Sequence, residues 1–254
     1  MAGEITGLWT LSHVLLDAAQ IDQITEHELD DGVSDLLAST DGLVDNTYNS
    51  FRSINPRFMF TTTKIATALA ALSINGLGVA GAGVVAWFQH MAQNSVRTAA
   101  NLTTHRKIAI ATGYVIPIAI QASNDAYASL NCECVAYSAG VSSPVTTSGA
   151  AITGTPSITE GFKCGPVKLG TEGFAEGVMN TNINFGINVV APIGSGLPYP
   201  TYVSMMSRSP GITCEMTDLS WIDSASFDPA GVDIGDTFGS VDVFLRKLTR
   251  NSGV

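Results

Sequence analysis

Charged residues are scarce in this chain, and basic residues are the scarcest of them. Asp, Glu, Lys and Arg make up 13% of its 254 residues, with 12 Lys and Arg against 22 Asp and Glu, which gives a formal net charge of −10. No Lys or Arg occurs before Arg52. Because nucleic acid is held by clustered Lys and Arg that contact its phosphates, this balance argues against a protein that binds nucleic acid.

Cysteine and histidine are too few and too scattered to indicate a metal site or a catalytic pair. No CxxC motif occurs, and His27 stands between Glu26 and Glu28 on a predicted strand, where neighbours point to opposite sides and cannot converge on one ion. We therefore predict no metal and no cofactor, and we interpret the cysteines as small buried hydrophobes in a reducing environment. The cysteines are Cys132, Cys134, Cys164 and Cys214, and the histidines are His13, His27, His90 and His105.

Enzyme motifs are absent or stand in the wrong context. Gly76, Gly78 and Gly81 match GxGxxG, yet a dinucleotide site needs a strand before the glycines and a helix after them. Here the predicted order is reversed, and no GxSxG elbow or Walker loop occurs, so we predict a protein that is not an enzyme. The N-terminus has no basic residue, which argues against a secretory signal.

The residues that are abundant favour strands. Gly, Ser, Thr, Ala and Val are frequent, a composition typical of sandwiches and barrels with many turns. The hydrophobic content of 45% allows a sizeable core. We predict a mainly β fold, a β-sandwich or barrel-forming sheet with short flanking helices.

An internal repeat is the clearest feature of the chain. A shift of 154 residues without a gap aligns nine identical pairs within residues 32–63. The pairs are Gly32 with Gly186, Gly42 with Gly196, Leu43 with Leu197, Thr47 with Thr201, Tyr48 with Tyr202, Ser50 with Ser204, Ser53 with Ser207, Pro56 with Pro210 and Thr63 with Thr217. After a three-residue insertion the similarity resumes between residues 84–95 and 241–252.

The repeat predicts the organisation of the chain. Residues 1–100 form a first copy and residues 155–254 a second. Residues 101–154 contain intervening strands, at 107–112, 114–121 and 126–137, and the start of a Ser/Thr/Gly/Pro loop at 138–157. Those middle strands form either a separate unit or part of one fused sheet.

The repeat also decides how residues 65–88 are interpreted. This segment has no charged residue and is long enough to span a bilayer. Its counterpart in the second copy carries six Asp residues, which a membrane core would not accept. We therefore expect a core segment and no membrane contact.

Each copy predicts the same succession of elements. A strand at 24–36 or 178–190 leads through a Gly-rich turn to a second strand. A third, short strand follows the proline, and then a helix capped by the hydroxyl of Thr63 or Thr217. The first helix is expected at 64–74 and ends at Asn75 and Gly76. A closing strand follows at 84–91 or 241–248.

The first strand of each copy has one polar face. Alternate residues of a strand point to the same side, which groups Glu26, Glu28, Asp30, Gly32 and Ser34 in one copy and Asn180, Asn182, Asn184, Gly186 and Asn188 in the other. The opposite face is mixed in the first copy and apolar in the second, at Ile183, Phe185 and Ile187. Asn is a poor strand former, so its repetition indicates a face that does not pack. Two interpretations stay open, the solvated outer face of a sandwich and the lining of a water-filled channel.

The layout of the second copy resembles the major tail tube proteins of long-tailed bacteriophages. The resemblance rests on the strand NINFGINVV, the connection PYPTYVSMMSRSP, a helix begun by Thr217 and Asp218, and the final strand SVDVFLRKLTRN. It covers residues 178–254 and includes no catalytic motif. The resemblance implies a virion structural protein, synthesised in the host cytoplasm, whose rings stack into a DNA-conducting tail tube.

The same resemblance implies partners and a site. The subunits associate as a hexamer, or as a trimer with pseudo-sixfold symmetry because the chain is duplicated, and the tube contacts tape measure and tail-end proteins. DNA passes without specific binding, because carboxylates and amides offer phosphate no cation. The lumen-facing residues are then Glu26, Glu28, Asp30, Asn180, Asn182, Asn184 and Asn188. The alternatives are a capsid decoration or other virion protein and a carbohydrate-binding β-sandwich module.

Overall fold

The computed structural model describes residues 8–16, 19–38, 48–72, 83–91, 105–149, 160–169, 174–175, 177–217 and 241–247. Antiparallel strands dominate these residues, and α1 (Ile65–Ala71) is the helix among them. The strands of the first half are β1 (Leu8–Leu16), β2 (Ala19–Ile21), β3 (Ile24–Asp30), β4 (Val33–Ala38), β5 (Tyr48–Ile54), β6 (Arg57–Thr62), β7 (Val84–Met91), β8 (His105–Ile110), β9 (Gly113–Ser123), β10 (Ser129–Ala136) and β11 (Val145–Gly149). Those of the second half are β12 (Phe162–Leu169), β13 (Phe174–Ala175), β14 (Val178–Asn184), β15 (Ile187–Val190), β16 (Ser204–Arg208), β17 (Gly211–Met216) and β18 (Val241–Lys247). The predicted mainly β, sandwich-type fold is confirmed.

One six-stranded antiparallel sheet joins both halves of the chain. Its order is β17-β14-β9-β10-β6-β3, so the hairpin β9–β10 lies between the strands of the two predicted copies. The middle strands predicted at 114–121 and 126–137, observed as β9 and β10, thus belong to a sheet shared with both copies, whereas the one predicted at 107–112, observed as β8, belongs to a separate five-stranded sheet. All three lie within a few residues of their predicted bounds.

Two further sheets cover one face of this sheet. A five-stranded sheet has the order β11-β8-β7-β1-β2, and a three-stranded sheet the order β13-β12-β18. The core between the layers is made by alternate residues of each strand, among them Phe58, Phe60, Leu130, Val14 and Val84, which are almost fully buried. Burial of each such side chain is worth about 1.5–3 kcal/mol.

The strand bounds of the two halves are related by the same offset as the sequence repeat. Adding 154 to the bounds of β3 and β6 gives those of β14 and β17, and adding it to the start of β4 and the end of β5 gives the start of β15 and the end of β16. The start of β1 likewise maps on the start of β12, and β7 begins 157 residues before β18. The pairing of β1 with β7 has its counterpart in the pairing of β12 with β18.

The single strands predicted at 24–36 and 178–190 are each broken at a glycine. Gly32 has φ +57° and Gly186 has φ +58°. A Cβ at Gly32 would lie 2.1 Å from the carbonyl oxygen of Asn55, and one at Gly186 would lie 1.8 Å from that of Ser209. Both strands therefore bend there, because only glycine combines a left-handed φ with so close a backbone approach.

The predicted cap of the helix is wrong. The N-cap residue of α1 is Lys64, whose side chain makes no capping bond, while the carboxylate of Glu160 accepts hydrogen bonds from the Ala66 N–H, at 2.9 Å, and from the Thr67 hydroxyl. Thr63 instead donates its backbone N–H to the Gln23 carbonyl at 3.2 Å. The capping carboxylate of Glu160 lies almost a hundred residues from the helix in the sequence, so no local pattern predicts it.

Other expectations meet the structure only in part. The predicted loop at 138–157 contains a strand, β11, which pairs with β8. The closing strand at 84–91 is confirmed as β7. The helix end at Asn75 and Gly76, the GxGxxG segment and the second helix lie outside the described residues. No helix among the residues described has the length and apolar content needed to cross a bilayer.

Candidate functional site

The candidate site is the face of the six-stranded sheet that points away from the core. Cross-strand partners share a face, and the register links Glu26 to Thr61, Thr61 to Asn131, Asn131 to Ala119 and Ala119 to Asn184. One row of side chains therefore runs from the first copy to the second. We call this side of the sheet the polar face.

The predicted residues of both copies lie on the polar face, with one exception. The exposed side chains of Glu26, Glu28 and Asp30 belong to it through β3, and those of Asn180, Asn182 and Asn184 through β14. Asn188 is exposed but lies in β15, which pairs with β16 outside this sheet. The bend at Gly186 separates it from the row.

Strand alternation explains why this face is polar. In β10 the side chains of Cys132 and Cys134 are buried, whereas those of Asn131 and Glu133 point to the polar face and are half-buried. In β14 the side chain of Thr181 points into the core, 3.3 Å from the Cys164 sulfur. Residues on the two sides of each strand therefore meet opposite environments.

Carboxylates dominate the charge of the polar face. Besides the three of β3 it carries Glu133 on β10 and Glu215 on β17, which pair in register with other members of the face. Arg57 is the cation that the described strands of this sheet place there, and its guanidinium lies 2.7 Å from the Glu133 carboxylate. The cation is thus neutralised by a neighbour on the same face.

Some of the amides and acids on this face also hold the backbone. Asp30 accepts the Gly32 N–H at 2.9 Å and Asn184 accepts the Gly186 N–H at 2.8 Å, the same turn in each copy. Asn180 donates to the Glu215 carboxylate at 2.5 Å. Glu26, Glu28 and Asn182 make no side-chain hydrogen bond to a described residue, so they are the members most available to solvent or a passing ligand.

One end of the polar face is covered by a second, apolar cluster. Ile116 and Val135 lie there, and Val203, from the segment between β15 and β16, packs on them. Ile187 packs in this cluster too, whereas Ile183 contacts the main core, because the chain bends at Gly186 between them. The open part of the face is therefore bounded on one side by apolar packing.

Sequence reasoning missed Arg57, Asn131, Glu133 and Glu215 as members of the face. The alternation of Asn131 and Glu133 with two cysteines was a usable signal for β10. The membership of Arg57 and Glu215 depends on which strands pair, and no local pattern carries that information.

Two grooves, of about 420 and 370 Å³, lie along the face beside Asn182 and Glu28.

The thiols of Cys132 and Cys134 and the imidazole of His27 point away from the polar face. Burial raises the pKa of the Cys132 and Cys134 thiols to about 12, which keeps them protonated. His27 lies on the opposite side of β3 from Glu26 and Glu28, with its ring centroid 5.5 Å from that of Phe88. Among the described residues, no three His, Cys, Asp or Glu side chains are grouped so as to hold a metal ion.

No protein-family model matches the chain, and no curated protein matches it significantly.

Proposed function

We propose that this chain is a tail tube subunit of a tailed bacteriophage, which assembles into stacked rings with the polar face towards a DNA-conducting channel. The observation that carries the proposal is the placement of Glu26, Glu28, Asn180 and Asn182 on one exposed face of one sheet whose other face is the core. A sheet with that asymmetry is suited to form the wall of a channel.

The charge of the polar face supports passage of DNA without binding. Phosphate is attracted by uncompensated Lys and Arg, and the guanidinium of Arg57 is already paired with Glu133. The remaining charged side chains of the face are carboxylates, which repel phosphate in a confined space. The amides of β14 are neutral and hold no anion by charge.

The two edges of the sheet support assembly by strand pairing. No described strand pairs with the outer edge of β3 or of β17, and the two strands run in opposite directions. The apolar side chains of Leu29 and Ile212, at these edges, are 43% and 41% exposed on the core side of the sheet. An antiparallel pairing of β3 with β17 of the next subunit would cover both residues and leave no free edge.

Electron microscopy of the concentrated protein tests the proposal. We expect rings with a central opening, or tubes made of them, and a density map in which Glu26, Glu28 and Asn182 line the opening. A chain that stays monomeric at every concentration would disprove the proposal. A shell-bound protein with these residues on its outer surface would favour the capsid decoration alternative instead.

A further inference from the structure

The strand pair β12–β18 concentrates positive charge in a chain that has little of it. These two strands carry Lys163, Lys168, Arg246 and Lys247, which are four of the 12 Lys and Arg residues of the chain. The acidic residue of the pair is Asp242, which lies opposite Lys168 in the register. Lys163 and Arg246 are therefore left without an acidic partner across the strands.

Lys163 and Arg246 lie directly opposite each other and point to the same side. They are partners in the register, next to the pair formed by Cys164 and Leu245. Cys164 and Leu245 pack in the core, so alternation directs both cations to the outward side of the three-stranded sheet. Like charges at directly opposite positions destabilise a strand pair. The arrangement therefore favours an anion that lies between the two cations.

No carboxylate among the described residues neutralises either cation. The Lys163 ammonium donates a hydrogen bond to the backbone carbonyl of Asn124 at 3.0 Å, and this carbonyl carries no full charge. The Arg246 side chain is exposed and makes no ion pair or hydrogen bond with a described residue. Because an ammonium has three donor hydrogens and a guanidinium five N–H donors, both groups keep donors for a ligand.

Both cations line a cavity of about 590 Å³, and none of the other described residues that line it is acidic. Gly165 and Pro166 form one wall of this cavity, where β12 bulges between Cys164 and Val167. Gly177, just before β14, lies on another wall. Sites for small ligands have volumes of roughly 300–1,000 Å³, so the cavity is large enough for one. It shares no described lining residue with the two grooves of the polar face.

The two opposed cations are particular to the second copy. By the offsets that relate the strands, Lys163 corresponds to Trp9 of β1 and Arg246 to Gln89 of β7. The repeated fold therefore does not require a cation at either position. Opposed cations beside a cavity, where the same fold accepts uncharged residues, indicate that a ligand is bound there.

We propose that Lys163 and Arg246 bind a phosphate group, carried either by inorganic phosphate or by a small phosphate ester. A guanidinium donates two parallel hydrogen bonds to phosphate oxygens, and an ammonium adds a compact charge. A phosphate dianion would replace the repulsion between the two cations by attraction to both. This inference does not depend on the proposed function, because the cavity lies outside the polar face.

Thermal unfolding at constant ionic strength, set with sodium chloride, tests the site. For a dissociation constant on the order of 1 mM, about 20 mM phosphate should raise the melting temperature of the wild type by about 3–6 °C. Lys163→Gln with Arg246→Gln should abolish this rise. Without phosphate the same variant should melt no lower than the wild type, because the repulsion is removed. Lys168→Gln with Lys247→Gln is the matched control, which removes the same charge from the same strands outside the cavity and should keep the rise.

Glycerol phosphate in place of phosphate distinguishes the two sources of the ligand. A rise with both compounds would assign the site to phosphate esters as well as the free ion, and a rise with phosphate alone would restrict it to the free ion. No rise in the wild type, an equal rise in the double variant of Lys163 and Arg246, or loss of the rise in the control would overturn the site.

A single substitution keeps the test decisive if the double variant does not fold, which circular dichroism would show. Arg246→Gln alters an exposed side chain and should raise the dissociation constant of phosphate about 10-fold, as loss of a charged hydrogen-bond donor does. An unchanged dissociation constant in this variant would overturn the site. Electron microscopy of the same variants separates this result from the tail tube proposal, since rings should form with or without the phosphate site.

Discussion

The four-strand unit β3–β6 and its counterpart β14–β17 have the same strand order, with bounds related by the offset of 154 residues, but they differ in what surrounds them. β6 lies inside the sheet, between β3 and β10, and its Phe58 and Phe60 are 1% and 2% exposed. The equivalent strand β17 is an edge among the described strands, and Ile212 and Cys214 replace the two phenylalanines there and are exposed or half-buried. The last strand of the first unit is thus covered on both edges by described strands of its own chain, whereas the last strand of the second is covered on one edge.

The two units also differ in charge on an otherwise equivalent surface. Glu26 and Glu28 of the first correspond to Asn180 and Asn182 of the second, and each set is held on the polar face by the same register. What the two units share is the lack of a free cation among their described residues on that face. The property common to both is therefore neutrality or repulsion towards phosphate rather than a particular side chain.

The largest difference between the units should appear when their equivalent core positions are truncated. Phe58→Ala removes a buried ring and is expected to lower the free energy of unfolding by about 3–5 kcal/mol. Ile212→Ala should cost the isolated subunit less than about 1 kcal/mol, because the side chain is 41% exposed. Urea titration of dilute protein measures both.

Ile212→Ala should have a larger effect on assembly than on the stability of the isolated subunit. If β17 pairs with a neighbour, Ile212→Ala is expected to raise the protein concentration at which rings form, as light scattering would show. Equal destabilisation of the isolated subunit by both substitutions would mean that β17 is not a free edge.

Substitution of the bend glycines should affect the two units alike. Gly32→Ala and Gly186→Ala each force a left-handed φ on alanine and press its Cβ against a carbonyl oxygen. We expect a loss of about 2–3 kcal/mol in each case, measured by thermal unfolding. Gly211→Ala is the control, since a Cβ there meets nothing within 4 Å. A loss at only one of the two bends would contradict their equivalence.

Lysines on the polar face should turn either unit into a DNA-binding surface. The triple changes Glu26→Lys, Glu28→Lys, Asp30→Lys and Asn180→Lys, Asn182→Lys, Asn184→Lys are each expected to bind duplex DNA, with affinity that falls steeply as salt rises. Fluorescence anisotropy of a labelled duplex at low salt measures this.

A control for these variants places the same charge elsewhere. Thr146→Lys, Thr147→Lys and Ser148→Lys alter exposed positions of β11, outside the polar face, and add the same charge as the Asn triple. If this control binds DNA as well as the Asn triple does, net charge rather than the face is responsible.

Much of the fold could be predicted because its signals are local. Alternation of residue types predicts β7 and the middle strands, and the ungapped repeat predicts that β14–β17 follow β3–β6. β1 was not predicted, because its partner β7 lies about 70 to 80 residues away in the sequence. The cap of α1 by Glu160 was also missed, because Glu160 lies far from the helix in the sequence.

The candidate site was predictable to the extent that one strand determines it. Side-chain parity places Glu26, Glu28, Asn180 and Asn182 on one face without knowledge of any neighbour. Parity does not extend through a glycine with positive φ, so Asn188 fell outside the sheet. That both rows share one sheet depends on the insertion of β9–β10 between the units, and long-range pairing of this kind leaves no periodic trace in the sequence.

The smallest difference between the units concerns pH. His27 corresponds to the buried Thr181 of the second unit, and desolvation lowers the pKa of its imidazole below the ordinary value. The folded state then favours the neutral ring. The contribution of His27 to the stability of the folded protein is therefore fully present above the unfolded pKa of about 6.5, and it is lost as the pH drops through that value towards the folded pKa. His27→Thr gives the first unit the residue of the second. We expect this variant to show a smaller decrease in melting temperature between about pH 7.5 and pH 5.5 than the wild type. Its melting temperature at high pH should differ from that of the wild type by no more than a degree or two. His90→Thr is the control for loss of a histidine, and a decrease that persists unchanged in His27→Thr would assign the pH dependence to other groups.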